Sequence, residues 1–374
     1  MLAKKILSVI LFILILIAAT NFCSSICKAY NININNKDPI KEKVEKSISK
    51  DMFLGAVVIA GKPGEIKYYK AFGQRDIGKE MKKDTMFDIA SITKPLTVGT
   101  SLAILVSEEK IELDDKLKTH LPELRGRGSD KITIRQTATH TSGLDNSKQL
   151  HKNNRRENLV DKILKRDCKW TPGTHYKYSC LGFIRLSEMI ANVTGIEFGE
   201  YCEKNIFNKL GMKDTEFGPV TSDKRDRCAR FRNPPGIIND PNAKKIRRPV
   251  GNAGVFSTAK DLSKFATLWL QKGTYNNHRF FSESVYETFT SNQSNPGTKG
   301  IVWDRGDYWL PDDVSKVSYY HTGYNGHHLV IDPFTKSYII ILTVWNHRAV
   351  SSSYRKSKKA RVDVIEAVIN TLEL

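Results

Sequence analysis

The chain has 374 residues, of which 40% are hydrophobic and 26% are charged, and its formal net charge is +19. This length suits one large domain or two lobes, and the lack of any repeat at a fixed period argues against a solenoid or a propeller. The positive charge favours anionic partners, but no zinc-finger spacing, ribonucleoprotein motif or basic-aromatic stripe occurs, so no nucleic acid is expected.

The N-terminus is predicted to be a targeting segment. Lys4 and Lys5 precede a run over 6–19 that is apolar except for Ser8, which is short for a membrane span and suits the core of a signal peptide. Small residues before Tyr30 offer a cleavage site, so we interpret 1–29 as a signal peptide, with an uncleaved signal anchor as the alternative. The protein is therefore expected to be exported, and to be extracellular or associated with the cell wall or the membrane.

The next hundred residues begin with a linker over 30–50, in which 41–50 has the pattern of a short polar helix. Apolar strand patterns over 55–60 and 66–72 flank a turn that contains proline and glycine. This arrangement predicts a β-hairpin whose valine and isoleucine side chains contribute to the core of a sheet.

The stretch 87–96 predicts a loop that leads into a buried helix. Pro95 falls in the first turn of that helix, where a missing N–H costs little. Ser91 lies at the helix entrance, and Lys94 is one turn further along the same face. A lysine amine that burial makes neutral could take the proton of a serine hydroxyl, and the helix N-terminus would favour an oxyanion there. The Ser-x-x-Lys spacing recurs elsewhere in the chain, so the apolar context of Ser91 is what distinguishes it.

The middle of the chain, from 111 to 248, has few strand patterns and is interpreted as helical. Helices are predicted over 181–193 and 198–210, the second ended by a glycine. A turn over 139–144 contains His140, which we interpret as a hydrogen-bonded structural histidine rather than a catalytic one.

Sheet patterns return in the last third of the chain. Strands are predicted over 317–321, 328–331 and 338–345, and a terminal helix over 360–374. A further helix is expected to be capped by Thr258 and to end at Gly273. We therefore predict an α+β fold with an antiparallel sheet flanked by helices and a cleft at the junction of two lobes. The sheet lobe comprises 51–105 and 249–374, and the inserted all-helical lobe comprises 106–248.

The cysteines give no sign of a metal site. Removal of the leader, with Cys23 and Cys27, leaves four, and these have neither a CxxC pairing nor a metal-ligand spacing. We expect no metal and no cofactor, and we treat these cysteines as free or as small buried apolar residues. They are Cys168, Cys180, Cys202 and Cys228.

Three short motifs stand in order: Ser91-x-x-Lys94, Tyr178-Ser-Cys180 and His321-Thr-Gly323. Together they resemble the serine β-lactamase and penicillin-binding protein superfamily, and specifically its class C-like branch of β-lactamases, DD-carboxypeptidases, D-aminopeptidases and esterases. The resemblance extends over about 52–345 and implies the β-lactamase/DD-peptidase fold. Further matching segments lie at 139–144, 172–173, 251–258, 321–326 and 331–333.

The resemblance implies a role for each motif. Ser91 is the acylated nucleophile, and Lys94 accepts its proton or tunes the electrostatic field. Tyr178, with a phenol pKa lowered by neighbouring cations, acts as base and then as acid for the leaving group. Tyr176 is the alternative tyrosine. Backbone N–H groups of Ser91 and Tyr324 form the oxyanion hole.

Two residues depart from the family pattern. The second motif ends in Cys180 instead of an asparagine that holds the substrate amide, and the third begins with His321 instead of lysine. A thiol and a neutral imidazole bind such groups weakly, which suits an esterase or aminopeptidase better than a β-lactamase. Thr322 and Gly323 complete the predicted substrate contacts. Cys180 as a thiol nucleophile is the less favoured alternative, because Ser91 has the helix-start position.

The sequence therefore predicts an exported serine hydrolase that acts through an acyl-enzyme on a cell-wall-related ester or amide. Esterase, D-amino-acid peptidase and DD-carboxypeptidase activities fit. The alternative is a catalytically quiet module of the penicillin-binding-protein type that binds cell-wall polymer. In either case an anionic polymer such as teichoic acid, or a membrane surface, could bind the basic exterior, and the oligomeric state is not indicated.

Overall fold

The computed structural model describes residues 37–146, 150–153, 156–306, 308–345 and 353–374. The predicted leader over 1–29 lies outside these residues. The sheet and the site described below lie within one compact unit, Lys43–Leu374.

The strands of the described residues are, in chain order, β1 (Phe53–Lys62), β2 (Glu65–Asp76), β3 (Lys79–Glu80), β4 (Phe87–Asp88), β5 (Glu216–Phe217), β6 (Val255–Ser257), β7 (Thr274–Tyr275), β8 (His278–Arg279), β9 (Tyr319–Thr322), β10 (His328–Asp332) and β11 (Ser337–Trp345). Six of them form one antiparallel sheet in the order β3-β2-β1-β11-β10-β9, and β4-β6-β5 form a smaller one. The predicted α+β fold is therefore confirmed.

The helices of the described residues lie before, between and after these strands. In chain order they are α1 (Pro39–Ser49), α2 (Thr100–Ser107), α3 (Leu117–His120), α4 (Ile134–Ala138), α5 (Leu150–Asn153), α6 (Arg156–Leu164), α7 (Cys180–Thr194), α8 (Phe198–Cys202), α9 (Asn208–Leu210), α10 (Ser222–Arg225), α11 (Pro241–Ile246), α12 (Ala259–Leu270), α13 (Glu283–Thr290) and α14 (Ser353–Leu372).

The centre of the large sheet consists of β1 and β11, which are almost entirely buried. A strand covered on both faces needs a nearly continuous apolar sequence. Both strands have one, over 53–61 in β1 and, except for Thr343, over 338–345 in β11. Helix α12 packs against them, and Thr258 caps it by accepting a hydrogen bond from the Asp261 N–H (3.1 Å). The predicted hairpin, the last three strands and the capped helix are thus all present, although α12 ends three residues before Gly273.

The small sheet joins segments that are far apart in sequence. Strand β5, inside the region predicted to be purely helical, pairs with β6. Strand β6 also pairs with β4, which ends three residues before Ser91. A strand of two residues has no readable alternation, so the sequence pattern could not predict it.

The segment after β4 forms the core helix of the unit. It begins as a 3₁₀ turn over Ala90–Ile92, continues as a π-helix over Lys94–Gly99 and ends as α2. Of the described helices, this one is long and apolar enough to cross a membrane, but 83% of it is buried inside the fold. Its apolar sequence is explained by its position in the core.

Candidate active site

Ser91 lies at a strained point of the backbone between β4 and the core helix. The preceding residue, Ala90, has a φ of +50°, which is unfavourable for a residue with a side chain. Strain of this kind persists only where neighbouring interactions enforce it, and it is common at functional sites. Here it places Ser91 in the wall of a cavity.

Asp88 enforces this bend, and sequence reasoning missed it. Its carboxylate accepts hydrogen bonds from the N–H of Ala90 (3.0 Å) and from the backbone N–H and the side-chain amide of Asn239 (2.8 and 2.9 Å). Its carbonyl oxygen accepts bonds from Asn325 (3.0 Å) and His327 (2.9 Å). Burial raises the pKa of this carboxyl group, and the hydrogen bonds oppose that shift. The only indication of this role in the sequence is the position of Asp88, an acidic residue between the apolar Phe87 and Ile89.

The structure brings the first two motifs into contact. The Lys94 ammonium donates to the Ser91 hydroxyl oxygen (3.1 Å) and to the carbonyl oxygen of Asn252 (2.7 Å). The Tyr178 hydroxyl lies 2.8 Å from the same Ser91 oxygen, on which it converges from the start of α7. Three groups that can exchange a proton therefore meet at one serine.

Lys94 is not the neutral amine that the sequence predicted. Burial lowers its pKa, but interactions with Cys180 and Tyr178 outweigh burial and raise the pKa above the ordinary value. Negative charge on the thiol or the phenol favours the ammonium form, so a proton lost by either neighbour strengthens the charge on Lys94. The expectation of neutrality was wrong because it considered burial without these partners.

Tyr178 also differs from its expected state. Burial raises the pKa of its phenol, and this effect outweighs the charge of Lys94, which lowers it. The resting phenol therefore keeps its proton, and the predicted lowering was wrong. Tyr176, the alternative, is 40% exposed at the mouth of the cavity, and burial raises its pKa to about 12.

His140 supports the second motif from behind, as a structural histidine would. Its Nδ1 accepts a hydrogen bond from the N–H of Ser179 (3.1 Å), and its ring centre lies 4.4 Å from that of Tyr178. Burial, with the charges of Lys299 and Lys94, holds the pKa of His140 well below its ordinary value. The neutral ring thus fixes the position of Tyr178.

The third motif lines the same cavity from the edge strand β9. Gly323 is required there, because a Cβ atom would lie 2.8 Å from the carbonyl oxygen of Ile89, next to the Ser91 turn. His321 donates from Nδ1 to the Thr322 carbonyl (2.9 Å), which leaves Nε2 as an acceptor. Burial, Lys94 and Lys299 hold the pKa of His321 well below its ordinary value, so the imidazole is neutral.

Tyr324, directly after the third motif, lies at the cavity mouth with 56% of its surface exposed. Its hydroxyl accepts a hydrogen bond from Arg232 (2.9 Å). Cys180 is placed differently from the substrate contact that we expected. Its sulfur lies 3.7 Å from the Lys94 ammonium, and burial raises the pKa of its thiol. Among the described residues, Cys180 is not in the wall of this cavity.

The cavity has a volume of about 600 Å³ and combines the reactive serine with aromatic and basic walls. Its wall also contains charged residues outside the three motifs. These residues belong to loops and to the last helix, and sequence reasoning did not single them out. The walls consist of Ser91, Tyr176, Tyr178, Gly297, Thr298, Lys299, Asp304, Arg305, Tyr308, Trp309, Tyr320, His321, Thr322, Gly323, Tyr324, Trp345 and Arg361.

Comparison with known proteins agrees with this geometry. The family model described as Beta-lactamase matches residues 40–363. An N-acetylmuramyl-L-alanine amidase of Bacillus subtilis is 27% identical over 82% of this chain and 81% of its own length. A Salmonella agona protein provisionally named D-alanyl-D-alanine carboxypeptidase is 26% identical over 72% of this chain and 71% of its own.

Solved structures show the same fold at low sequence identity. A class C β-lactamase from Rhodobacter sphaeroides superposes with a TM-score of 0.70 at 20% identity. The match covers 90% of this chain and 100% of the β-lactamase chain. The hydrolase EstCE1 superposes with a TM-score of 0.73 at 18% identity, and the match covers 88% of this chain and 97% of EstCE1. The chain therefore belongs to the Beta-lactamase family and is a serine hydrolase of the β-lactamase and penicillin-binding protein superfamily.

Proposed function

We propose that this protein is an exported hydrolase that cleaves a cell-wall-related ester or amide through an acyl-enzyme on Ser91. The observation that carries the proposal is the convergence of Lys94 and Tyr178 on the Ser91 hydroxyl inside the cavity. The names of the amidase and carboxypeptidase relatives support an amide or peptide of the cell wall as the substrate. The leader predicted over 1–29 supports export.

The proton arrangement suggests how the serine is activated. When the Lys94–Tyr178 pair has lost one proton, it exists either as amine and phenol or as ammonium and phenolate. Either form can accept the proton of Ser91 while its oxygen bonds to the substrate carbonyl. Tyr178, whose hydroxyl lies 2.8 Å from that oxygen, then delivers the proton to the leaving group as the old ester or amide bond breaks.

Deacylation repeats the same proton path with water. Water loses a proton to Tyr178 as it attacks the acyl carbon, and the proton returns to the Ser91 oxygen as that bond breaks. We assign the oxyanion hole to the backbone N–H groups of Ser91 and Tyr324, as the family resemblance implies.

Two covalent probes test the proposal. A fluorescent phosphonate should label the intact protein, and the Ser91→Ala variant should lose all labelling, because the phosphonate reacts only with an activated hydroxyl. A fluorescent penicillin should label it weakly, because His321 is neutral and Cys180 faces Lys94. If neither probe labels the intact protein, the proposal fails, and the quiet cell-wall-binding module becomes the better reading.

Two substitutions should strengthen the weak reaction with penicillin. We expect Cys180→Asn combined with His321→Lys to raise the rate of penicillin labelling about tenfold, because a charged donor contributes about 1.5–3 kcal/mol to binding a carboxylate. The measurement is the second-order labelling rate, with phosphonate labelling of the same variant as the control for an intact nucleophile. An unchanged penicillin rate alongside normal phosphonate labelling would contradict our explanation of the weak binding.

A further inference from the structure

The backbone carbonyl of Asp88 is the point at which the loop after β9 contacts the turn of the nucleophile. Its oxygen accepts two side-chain hydrogen bonds, one from the amide nitrogen of Asn325 (3.0 Å) and one from Nε2 of His327 (2.9 Å). Both donor residues are buried, with exposures of 3% and 1%. A donor removed from this interior would therefore leave the carbonyl without a partner, which is costly.

The hydrogen bonds of His327 fix the position of its ring proton. Its Nδ1 accepts a hydrogen bond from the Thr343 N–H of β11 (3.1 Å), so the neutral ring carries its proton on Nε2, which faces the Asp88 carbonyl. Burial lowers the pKa of His327 to about 4, so the ring is neutral near pH 7. The histidine thus joins the central strand of the sheet to the nucleophile turn through one acceptor and one donor.

The loop that carries these two donors also carries Tyr324, whose backbone N–H we assigned to the oxyanion hole. The Gly323 N–H donates to the His327 carbonyl (3.0 Å), which closes the loop into a tight turn. The Thr343 hydroxyl donates to the carbonyl of Asn325 (2.9 Å) and holds the middle of the turn against β11. The position of the turn relative to Asp88 therefore determines where the Tyr324 N–H lies.

The side chain of Asp88 fixes the other half of the oxyanion hole. Its carboxylate accepts a hydrogen bond from the Ala90 N–H (3.0 Å), one residue before Ser91. Asp88 therefore contacts the Ser91 turn through its carboxylate and the Tyr324 loop through its carbonyl. An oxyanion hole is effective only when both N–H groups lie at hydrogen-bond distance from the developing charge. A displacement of about 1 Å can lower the rate by about 10²-fold.

We propose that Asn325 and His327 are positioning residues that clamp the oxyanion hole by holding the Asp88 carbonyl. Among the described residues that line the cavity, neither is present, so they act on the reaction through the backbone that they hold. Their two hydrogen bonds keep the Tyr324 N–H in place relative to the Ser91 N–H. This inference rests on the proposed function, because it specifies how the oxyanion hole of that site keeps its shape.

Two polar substitutions of His327 test the clamp. The amide nitrogen of glutamine can occupy the position of Nε2, so His327→Gln keeps a donor for the Asp88 carbonyl. The amide oxygen of asparagine can occupy the position of Nδ1, so His327→Asn keeps the acceptor for the Thr343 N–H and loses the donor. We expect His327→Asn to lower the single-turnover rate of acylation by an ester about 10- to 100-fold, and His327→Gln to lower it less than about threefold. Half-saturation by the ester should change less than about twofold in both variants, because ground-state binding is retained.

A pair of esters that differ in one atom separates positioning from a general loss of folding. The second ester is a thionoester, which has C=S in place of C=O. Sulfur is larger than oxygen and accepts hydrogen bonds more weakly, so a hole shaped for oxygen favours the ordinary ester. His327→Asn and Asn325→Leu should each lower the ratio of ester to thionoester acylation rates about tenfold, whereas His327→Gln should keep it. Unfolded protein contributes to neither rate, so partial unfolding leaves this ratio unchanged.

Thr215→Val is the matched control for loss of a buried hydrogen bond outside the cavity. The Thr215 hydroxyl contacts the Ser257 hydroxyl (2.8 Å) and the Asp261 carboxylate (3.0 Å). This variant should have a lower melting temperature and an unchanged ratio of ester to thionoester rates. An unchanged ratio in His327→Asn, an equal fall in His327→Gln, or an equal fall in Thr215→Val would overturn the proposal.

Hydrogen exchange tests the clamp without turnover. The peptide that contains the Tyr324 loop should exchange its amide hydrogens faster in His327→Asn than in His327→Gln, and peptides from α12 should exchange equally in both. Equal exchange of the loop in the two variants would contradict the clamp. If the loop responds as expected while the intact protein hydrolyses neither ester, the clamp is retained and only the proposed function fails.

Discussion

Replacing Tyr178 with phenylalanine is expected to lower the acylation rate by about 10²- to 10⁴-fold, the usual contribution of a general acid–base group. The hydroxyl that lies 2.8 Å from Ser91 is lost, while the ring keeps its packing against His140 and its position 5.0 Å from the Lys94 nitrogen. The measurement is kcat/KM on an ester substrate, with thermal unfolding to show that the fold is retained.

The pH dependence of the same reaction adds a second test. Burial raises the pKa of Tyr178 above its ordinary value, so the form that accepts a proton becomes more populated as the pH rises. Acylation by the intact protein should therefore increase from neutral to alkaline pH, and the phenylalanine variant should lose most of this increase. Tyr176→Phe is the matched control and should change kcat/KM less than about twofold. An equal loss in both variants would show that Tyr178 has no special role.

Replacing Lys94 with methionine should remove activity without weakening the fold. We expect at least about a 10³-fold loss in acylation, because no positive charge remains to favour the deprotonated serine or phenolate. Lys94 is fully buried, and burying an ammonium is costly, so an apolar side chain of similar length removes that cost. It also leaves the carbonyl of Asn252 without this donor.

The removed cost of burying a charge and the lost hydrogen bond to Asn252 have opposite effects on stability. The melting temperature of Lys94→Met should therefore lie within about 4 °C of that of the intact protein, since 1 kcal/mol corresponds to a few degrees. Activity and thermal unfolding are measured on the same preparation, and Lys316→Met serves as a control for simple removal of a charge. If the variant instead melts far below the intact protein, Lys94 is mainly a structural residue and its loss of activity is secondary.

Much of the site could be predicted from the sequence because it depends on local sequence patterns. Ser91 and Lys94 share one helix face by spacing alone, and the runs that became β1 and β11 are almost continuously apolar. Placing Tyr178 beside them needed the family resemblance, since 84 residues separate it from Lys94.

What the sequence did not indicate depends on which groups meet in the folded chain. Lys299 and Asp304 look like ordinary surface charges in a polar loop, and only their burial beside the third motif singles them out. The sequence predicted lowered pKa values for Lys94 and Tyr178, but both are raised. The prediction for Lys94 considered burial alone, and the prediction for Tyr178 considered neighbouring cations alone. Burial, thiol, phenol and ammonium act together at this site, and their balance can be read only from the geometry.

The decisive measurement is the intact mass of the protein, quenched during turnover of a panel of esters, D-alanyl peptides and β-lactams. We predict a gain equal to the acyl portion of a reactive substrate, located by peptide mapping on Ser91 and absent from Ser91→Ala. Hydrolysis that persists in Ser91→Ala, or an adduct located on Cys180 instead, would contradict the acyl-serine mechanism.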